Sequence, residues 1–529
     1  MTRFRYVRMD HWPPLAWLAR CGRHDDTIEV HHGPRVEAGE TWFCEAVWDA
    51  PYAAGDFDRT DLVFGSGGRA RNARVVFAAS GTTLDRLQSF ESAGRAWVSN
   101  SLPCLLAAVG AYVDPTYERY FEDFRSIRRG LRHYRRELAT SVGPVRLTYF
   151  DNLAWDGARL SREPKAAPTR DLHSFEQYRA FLEETLGRLA DNLAAPERRH
   201  PYALLGTISS GYDSAAVAAL ARRAGLRDVI SFDRSRGGLD DTGGQLAERL
   251  GLRLTVLRRD AWRLMHLPEV PFLAADAKGE DVHFMAAESP LAGRVLLTGF
   301  HGDEMWDRIA WPLPLNGDLA RSDQCGLSLT EYRLWAGFIH CPVPFIGARQ
   351  IRDVHMISRS RSMAAWDVGG PYNRPICRRI LEEAGVPRDA FGVVKKNTSV
   401  LLFDRETFLS PAARADYLRW LGAHANAWRA RGRGRRLPRA AGAPRDALQR
   451  AARGAARALF AIAGLAPRHL WLLRSLAWRV AGLTGKEPLF RHVFPWALEQ
   501  AQQRYAAPAV DAGDAARTPA AAAWQRAGA

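Results

Sequence analysis

Over residues 202–257 short apolar runs alternate with helix-forming stretches, a pattern that leaves a chain few options besides a parallel sheet. Tyr202, Ala203, Leu204, Leu205, Gly206, Thr207 and Ile208 read as a buried strand, 213–224 as an alanine-rich helix and 229–232 as the next strand. A helix over 242–250 and a strand over 252–257 follow, and 294–298 reads as a further strand. Parallel neighbours need crossover connections, which helices supply. Ahead of this unit Phe175, Tyr178, Phe181, Leu182, Leu186 and Leu189 recur at helical spacing, so 174–193 is expected to form a long amphipathic helix. The expected fold class is α/β with a doubly wound parallel sheet.

The flanking regions differ in texture. Residues 1–165 contain short apolar runs at 74–79, 95–98 and 144–150 separated by Gly, Asp and Asn, as in a strand-rich domain with few helices. Pro164 and Pro168 make 163–168 a candidate linker, so the sheet domain is expected to cover 166–400. Residues 401–506 are mostly helix-forming, and 507–529 are Ala-rich with few large apolar side chains, hence expected to be disordered.

Composition removes several function classes. No run of about 18 uncharged apolar residues exists, so no transmembrane segment is expected. The start lacks an apolar signal core, which makes the cytoplasm the default location. Cys21, Cys44, Cys104, Cys325, Cys341 and Cys377 are scattered without a CxxC pair, against a zinc knuckle or redox dithiol and in favour of small buried apolar residues. The net charge of +16 is local: 426–480 hold thirteen arginines and one acid, Asp446, giving +12 in 55 residues and only +4 elsewhere. A basic run at 429–445 without aromatics reads as a solvated loop, so nucleic acid is not an expected partner. Five of the 74 basic residues are lysines, the rest arginines. The adjacent pair Lys395 and Lys396 therefore stands out, because lysine and arginine are not interchangeable near phosphate.

The most informative segment is Ser209, Ser210, Gly211, Tyr212, Asp213 and Ser214, between the first strand and its helix. Small residues there let backbone amides converge on one phosphate, with the helix N-terminus adding favourable potential. Asp213 would repel bare phosphate, which implies a divalent cation between them. These residues resemble the pyrophosphate loop SGGxDS of the ATP-pyrophosphatase superfamily, in particular the asparagine synthetase group with its β-lactam synthetases and lasso-peptide cyclases. Ser210 departs from that pattern, standing in the place of the first loop glycine. If the position needs a positive φ, serine costs something there.

More of the chain supports the resemblance. Ser231 and Phe232 occupy the end of the family's second strand, which usually contacts adenine and ribose. Asp240, Asp241 and 245–252 resemble its "DE…A…A…LG" segment. Leu296, Leu297, Thr298, Gly299, Phe300, His301, Gly302, Asp303 and Glu304 resemble its second signature, "LLSGxGxDE", with the second glycine displaced by one. The resemblance implies an adenine nucleotide α-hydrolase-like sheet that binds ATP, with Asp213 and Asp303 sharing Mg2+ on the triphosphate although 90 residues separate them. Glu304 is as readily a helix-start acid. Family members place an essential lysine after a helical region like the one beyond Tyr372; Lys395 is the first choice for it and Lys396 the second. Phe300 departs from the acid or tyrosine found there in relatives and can transfer no proton. His301 could be a base, though a hydrogen-bonded structural histidine is the commoner case.

Asparagine synthetase also carries an N-terminal glutaminase whose nucleophile is a cysteine after the initiator methionine. Here residue 2 is threonine, and Arg3, Phe4 and Arg5 lack the glutamine-binding pattern. Segments 97–103 and 117–130 look similar to the reduced N-terminal domains of lasso-type cyclases, so residues 1–165 are expected to be a degenerate glutaminase-like scaffold. The resemblance thus implies an amide-forming ligase that adenylates a small-molecule or peptide carboxylate, a precursor peptide included, with an amine or ammonia as nucleophile. A second reading is a non-catalytic relative that binds nucleotide or precursor, and a third is an RNA-modifying pyrophosphatase using the basic region, its sulfur-transfer version weakened by the missing CxxC.

Overall fold

The computed structural model describes residues 2–402 apart from 73, 167, 310–314 and 371, then 409–430 and 488–506, with isolated positions between 451 and 476. The chain is a mixed α/β protein with three sheets. Thirteen strands belong to the first 163 residues: β1 Arg3–Arg8, β2 Trp17–Gly22, β3 Thr27–His32, β4 Glu37–Ala38, β5 Trp42–Trp48, β6 Val63–Arg71, β7 Arg74–Ala78, β8 Arg86–Ser92, β9 Arg95–Ser99, β10 Glu137–Thr140, β11 Gly143–Tyr149, β12 Asn152–Trp155 and β13 Leu160–Glu163. They form a seven-stranded sheet in the order β1-β3-β2-β9-β8-β11-β10 and a six-stranded sheet in the order β13-β12-β7-β6-β5-β4. Trp17, Ile28, Val30 and Val98 from the first and Phe43, Val75, Phe77 and Trp155 from the second share one buried cluster. The Trp17 ring lies 5.0 Å from Phe43 and 6.1 Å from Phe77, so alternate residues of two sheets meet face to face.

The third sheet is wholly parallel. Its strands β14 Ala203–Thr207, β15 Asp228–Phe232, β16 Arg253–Leu257, β17 Arg294–Thr298 and β18 Ile339–Pro342 run in the order β16-β15-β14-β17-β18. Gly206 pairs with Val229 on one side of β14, and Leu205 pairs with Leu296 on the other. Period-two alternation sends Leu204, Val229, Val295 and Leu297 into one cluster with the helices Phe175–Leu193, Asp213–Ala221 and Pro375–Glu383. Leu205, Ile230, Phe232 and Leu296 enter another with Val270–Asp276, Leu329–Ala336 and Val493–Gln502. Both faces are thus covered by helices, which is why these strands read as nearly continuous apolar runs.

Two segments at the expected boundaries pack closely against the rest of the chain. Lys165, in the supposed linker, is buried and donates to Asn152 Oδ1 at 2.6 Å, because β12 and β13 fold the segment back onto their sheet. The C-terminal helices are no appendage: Trp496 Nε1 donates to Asp416 at 2.8 Å and Trp420 Nε1 to Glu499 at 2.8 Å, with Trp496 in the core beside Phe272. Arg333, fully buried, ties the strand-rich part to the parallel-sheet part through Glu45 at 2.6 Å and Asp85 at 2.9 Å. Among the described residues no helix is long and apolar enough to cross a membrane, and all six cysteines are free, five of them buried. The 507–529 tail and the basic run beyond residue 430 lie outside the described residues.

Candidate functional site

Strands β14 and β17 are neighbours, so the segments leaving their C-terminal ends are neighbours too, and here they touch. A Cβ on Gly299 would lie 2.6 Å from Asp213 Cβ and 2.7 Å from Ser214 N; one on Gly302 would lie 2.5 Å from Asp213 Cγ. Only residues without side chains let the turn after β17 pack against the start of the Asp213–Ala221 helix. The displaced second glycine is placed where that contact requires it.

The loop 209–214 is held by its own hydroxyls. Ser209 Oγ and Ser214 Oγ are 2.8 Å apart, and Gly211 N donates to Ser209 Oγ at 3.2 Å. Ser210 does not take a positive φ, which removes the steric objection to serine at that place. Its hydroxyl instead donates to Asp241 Oδ1 at 2.8 Å and accepts from Lys396 Nζ at 2.8 Å. Burial raises the Asp241 carboxyl above its ordinary range, offset by the Ser210 hydrogen bonds and the charge of Lys396. Lys396 also donates to the Asp240 carbonyl at 2.6 Å, and Gly392 N donates to the Ser210 carbonyl at 2.9 Å. The lysine segment is therefore stitched to the loop at two points.

Asp213 and Asp303 converge, but on a guanidinium. Arg374, buried with its side chain 1% exposed, hydrogen-bonds Asp213 through one terminal nitrogen and pairs with Asp303 through the other. Asp307 is 3.9 Å from its Nε, and the Tyr372 ring is 5.3 Å away. Burial raises the Asp307 carboxyl, with Lys395 acting against it. Lys395 Nζ donates to Asp303 Oδ2 at 3.1 Å while its side chain stays 59% exposed. Of the two lysines, Lys396 is the anchored one and Lys395 the one with freedom to reach.

These groups border one cleft of about 190 Å³. Ser209, Gly211, Asp213, Ser214, Ser231, Phe232, Gly299, Asp303, Lys395 and Lys396 all line it; Ser210 alone among the expected site residues lies behind the wall. Ser231 Oγ is committed to the Asp241 carbonyl at 3.3 Å, and Phe232 stacks edge-on against His283 at 4.6 Å. His301 packs into the turn. Its ring is buried, stacked on Phe345 at 4.4 Å and 3.2 Å from Glu304. Glu304 is buried, which works against ionisation, yet the His301 hydrogen bond and charge hold its carboxyl well below the ordinary range; it also accepts from Ser322 N at 2.7 Å. The pair fixes the turn, with the His301 ring at the cleft wall and its Nε2 buried without a hydrogen-bond partner. Phe300 lines the cleft as an apolar wall, 5.5 Å from His340.

Among the described residues no group of three or more His, Cys, Asp or Glu side chains is placed to hold a metal ion. Paired carboxylates are ligands that magnesium takes together with phosphates and water, but here the Arg374 guanidinium fills the point where they meet. Arg374 went unread in the sequence because one arginine among 69 carries no signal. Hydroxyls, a helix start and three cations around one opening suit a polyanion. No model of a known protein family matches the chain, and no curated protein matches it either.

Proposed function

We propose that the chain is an ATP-dependent carbon–nitrogen ligase built on a doubly wound, adenine nucleotide α-hydrolase-like sheet, forming an amide through an acyl-adenylate. The observation that supports this most is the packing of the 209–214 loop against the Gly299–Asp303 turn, which draws Asp213 and Asp303 to one point beside Lys395 and Lys396. In this reading Ser209, Gly211 and Ser214 cradle the β- and γ-phosphates, and Ser231 and Phe232 border the nucleoside. Asp213 and Asp303 would hold Mg2+, which supplies charge neutralisation on the triphosphate. A substrate carboxylate attacks the α-phosphorus and pyrophosphate leaves. An amine then attacks the acyl carbon and AMP leaves. Lys395, exposed at the cleft, stabilises the charge that develops there. The strand-rich part serves as a degenerate glutaminase-like scaffold, with the amine coming from a substrate.

The test is pyrophosphate release from ATP with candidate carboxylates, comparing wild type with Asp213→Asn. Loss by at least about a hundredfold is expected for an electrostatic contact to the reacting phosphates. Equal release by both proteins would defeat the assignment. A second reading, a non-catalytic nucleotide or precursor binder, is favoured by the pairing of both aspartates with Arg374 and by the inert Phe300. It predicts ATP binding without pyrophosphate from either protein.

A further inference from the structure

Asp281 borders the cleft without belonging to the loop or the turn, and its carboxylate is only half satisfied. The residue is 1% exposed. Its Oδ2 accepts from Gly326 N at 2.9 Å and Ser328 Oγ at 2.6 Å, while its buried Oδ1 has no hydrogen-bond partner. A buried carboxylate oxygen without a donor is costly, so a donor supplied from the cleft would satisfy it. The surroundings say which kind. Asp276 and Glu280 reinforce the negative potential at Asp281, and Asp323 adds a carboxylate at the cleft wall. His283 is held neutral by burial and contributes no competing charge. Phe232, Phe284 and Phe300 supply aromatic walls. The unpartnered Oδ1 calls for a donor, and a bare metal ion is disfavoured by the lack of a three-ligand set among the described residues. An organic ammonium satisfies both the carboxylate and the rings.

The position is also suggestive. Gly326 donates to Asp281, and a Cβ on Gly326 would meet the Phe300 ring at 2.9 Å. Asp281 therefore stands one residue's width behind Phe300, on the turn that carries Asp303. We propose that Asp281 is the docking point for the primary ammonium of the acyl-accepting substrate and takes the proton that the amine must lose before it attacks, an inference that rests on the ligase reading for the role of that amine. Burial and its acidic neighbours push the Asp281 carboxyl up to about 7, so a bound cation would draw it back to the ionised form.

The experiment titrates the full chain at pH 8 with n-butylammonium, with n-butanol of the same shape, and separately with ATP and magnesium, by calorimetry. Saturable butylammonium binding without butanol binding is expected. Asp281→Asn should weaken the ammonium by at least about tenfold and leave ATP unchanged, with Asp281→Glu retaining part of the affinity. Equal binding of the alcohol and the ammonium by wild type overturns the site without any variant, as does tight ammonium binding by a folded Asp281→Asn. ATP binding with no ammonium binding overturns the site alone. Ammonium binding that depends on Asp281, without ATP binding, leaves the cation site standing and removes the ligase reading.

Discussion

Removal of Arg374 is the sharpest perturbation of the site that leaves its carboxylates in place. Its side chain is 1% exposed and faces Asp213, Asp303 and Asp307 together. Arg374→Ala leaves three acids around a void, with Lys395 donating to Asp303 and acting on Asp307 at a distance. Breaking a buried ion pair by deleting one partner costs about 3–5 kcal/mol. Asp213 and Asp303 keep 21% and 28% side-chain exposure, so water screens part of the repulsion and the cost falls at the lower end, about 3 kcal/mol. Magnesium provides the discriminating arm. In wild type the guanidinium already satisfies both carboxylates, and millimolar magnesium without nucleotide should hardly change thermal unfolding. In Arg374→Ala the freed carboxylates should bind the ion, and unfolding should shift upward as magnesium rises. Arg374→Lys, with charge but no fork, should fall between the two. Calorimetric unfolding of the three proteins with and without magnesium reads all of this. A loss under about 1 kcal/mol, together with identical magnesium responses, would refute the idea that this guanidinium occupies the point where the two aspartates meet.

Two further outcomes concern the loop–turn contact and a buried carboxyl outside the cleft. Gly302→Ala puts a Cβ 2.5 Å from Asp213 Cγ, so the loop and turn must part; overpacking of this kind costs about 1–3 kcal/mol, and pyrophosphate release should fall further than thermal stability does. Glu269, buried and accepting from Ser410 Oγ at 3.0 Å, has its carboxyl pushed by burial from 4.5 up to about 7. A raised folded-state value means that the stability it contributes is full below pH 4.5 and is lost as pH climbs through 7, a swing of about 3 kcal/mol. Glu269→Gln removes that swing, so urea unfolding at pH 5 and pH 8 should show the variant gaining on wild type at the higher pH.

The parallel sheet was legible because burial on both faces leaves its strands as apolar runs, and the helices between them set the order. The strand Ile339–Pro342 was not, since four residues containing His340 and ending in proline carry no strand signal. Tertiary context makes it one: β17 offers it an open edge, and Thr298 Oγ1 lies 2.9 Å from His340 Nε2. Within the site, Asp213 and Asp303 stood out in the sequence through resemblance to a family's signature loops, and the lysines through their rarity. Arg374 was not, because a buried arginine is spelled like the other 68, and only the fold brings it to the aspartates. The same holds for Asp281, whose half-satisfied carboxylate is defined by partners 45 and 47 residues away.

Ser210 shows why a local departure from a pattern is a poor guide to lost function. Judged by its neighbours alone, serine for glycine in a phosphate loop suggests strain. In the folded chain the backbone there needs no positive φ, and the added hydroxyl joins Asp241, 31 residues on, to Lys396, 186 residues on. The loop thereby gains a side-chain brace that a glycine at this place would lack. The same hydroxyl fixes Lys396 and leaves its neighbour Lys395 exposed at the mouth. A substitution that counts against the ligase reading in the sequence thus supplies, in three dimensions, the division of labour between the two lysines that the reading needs.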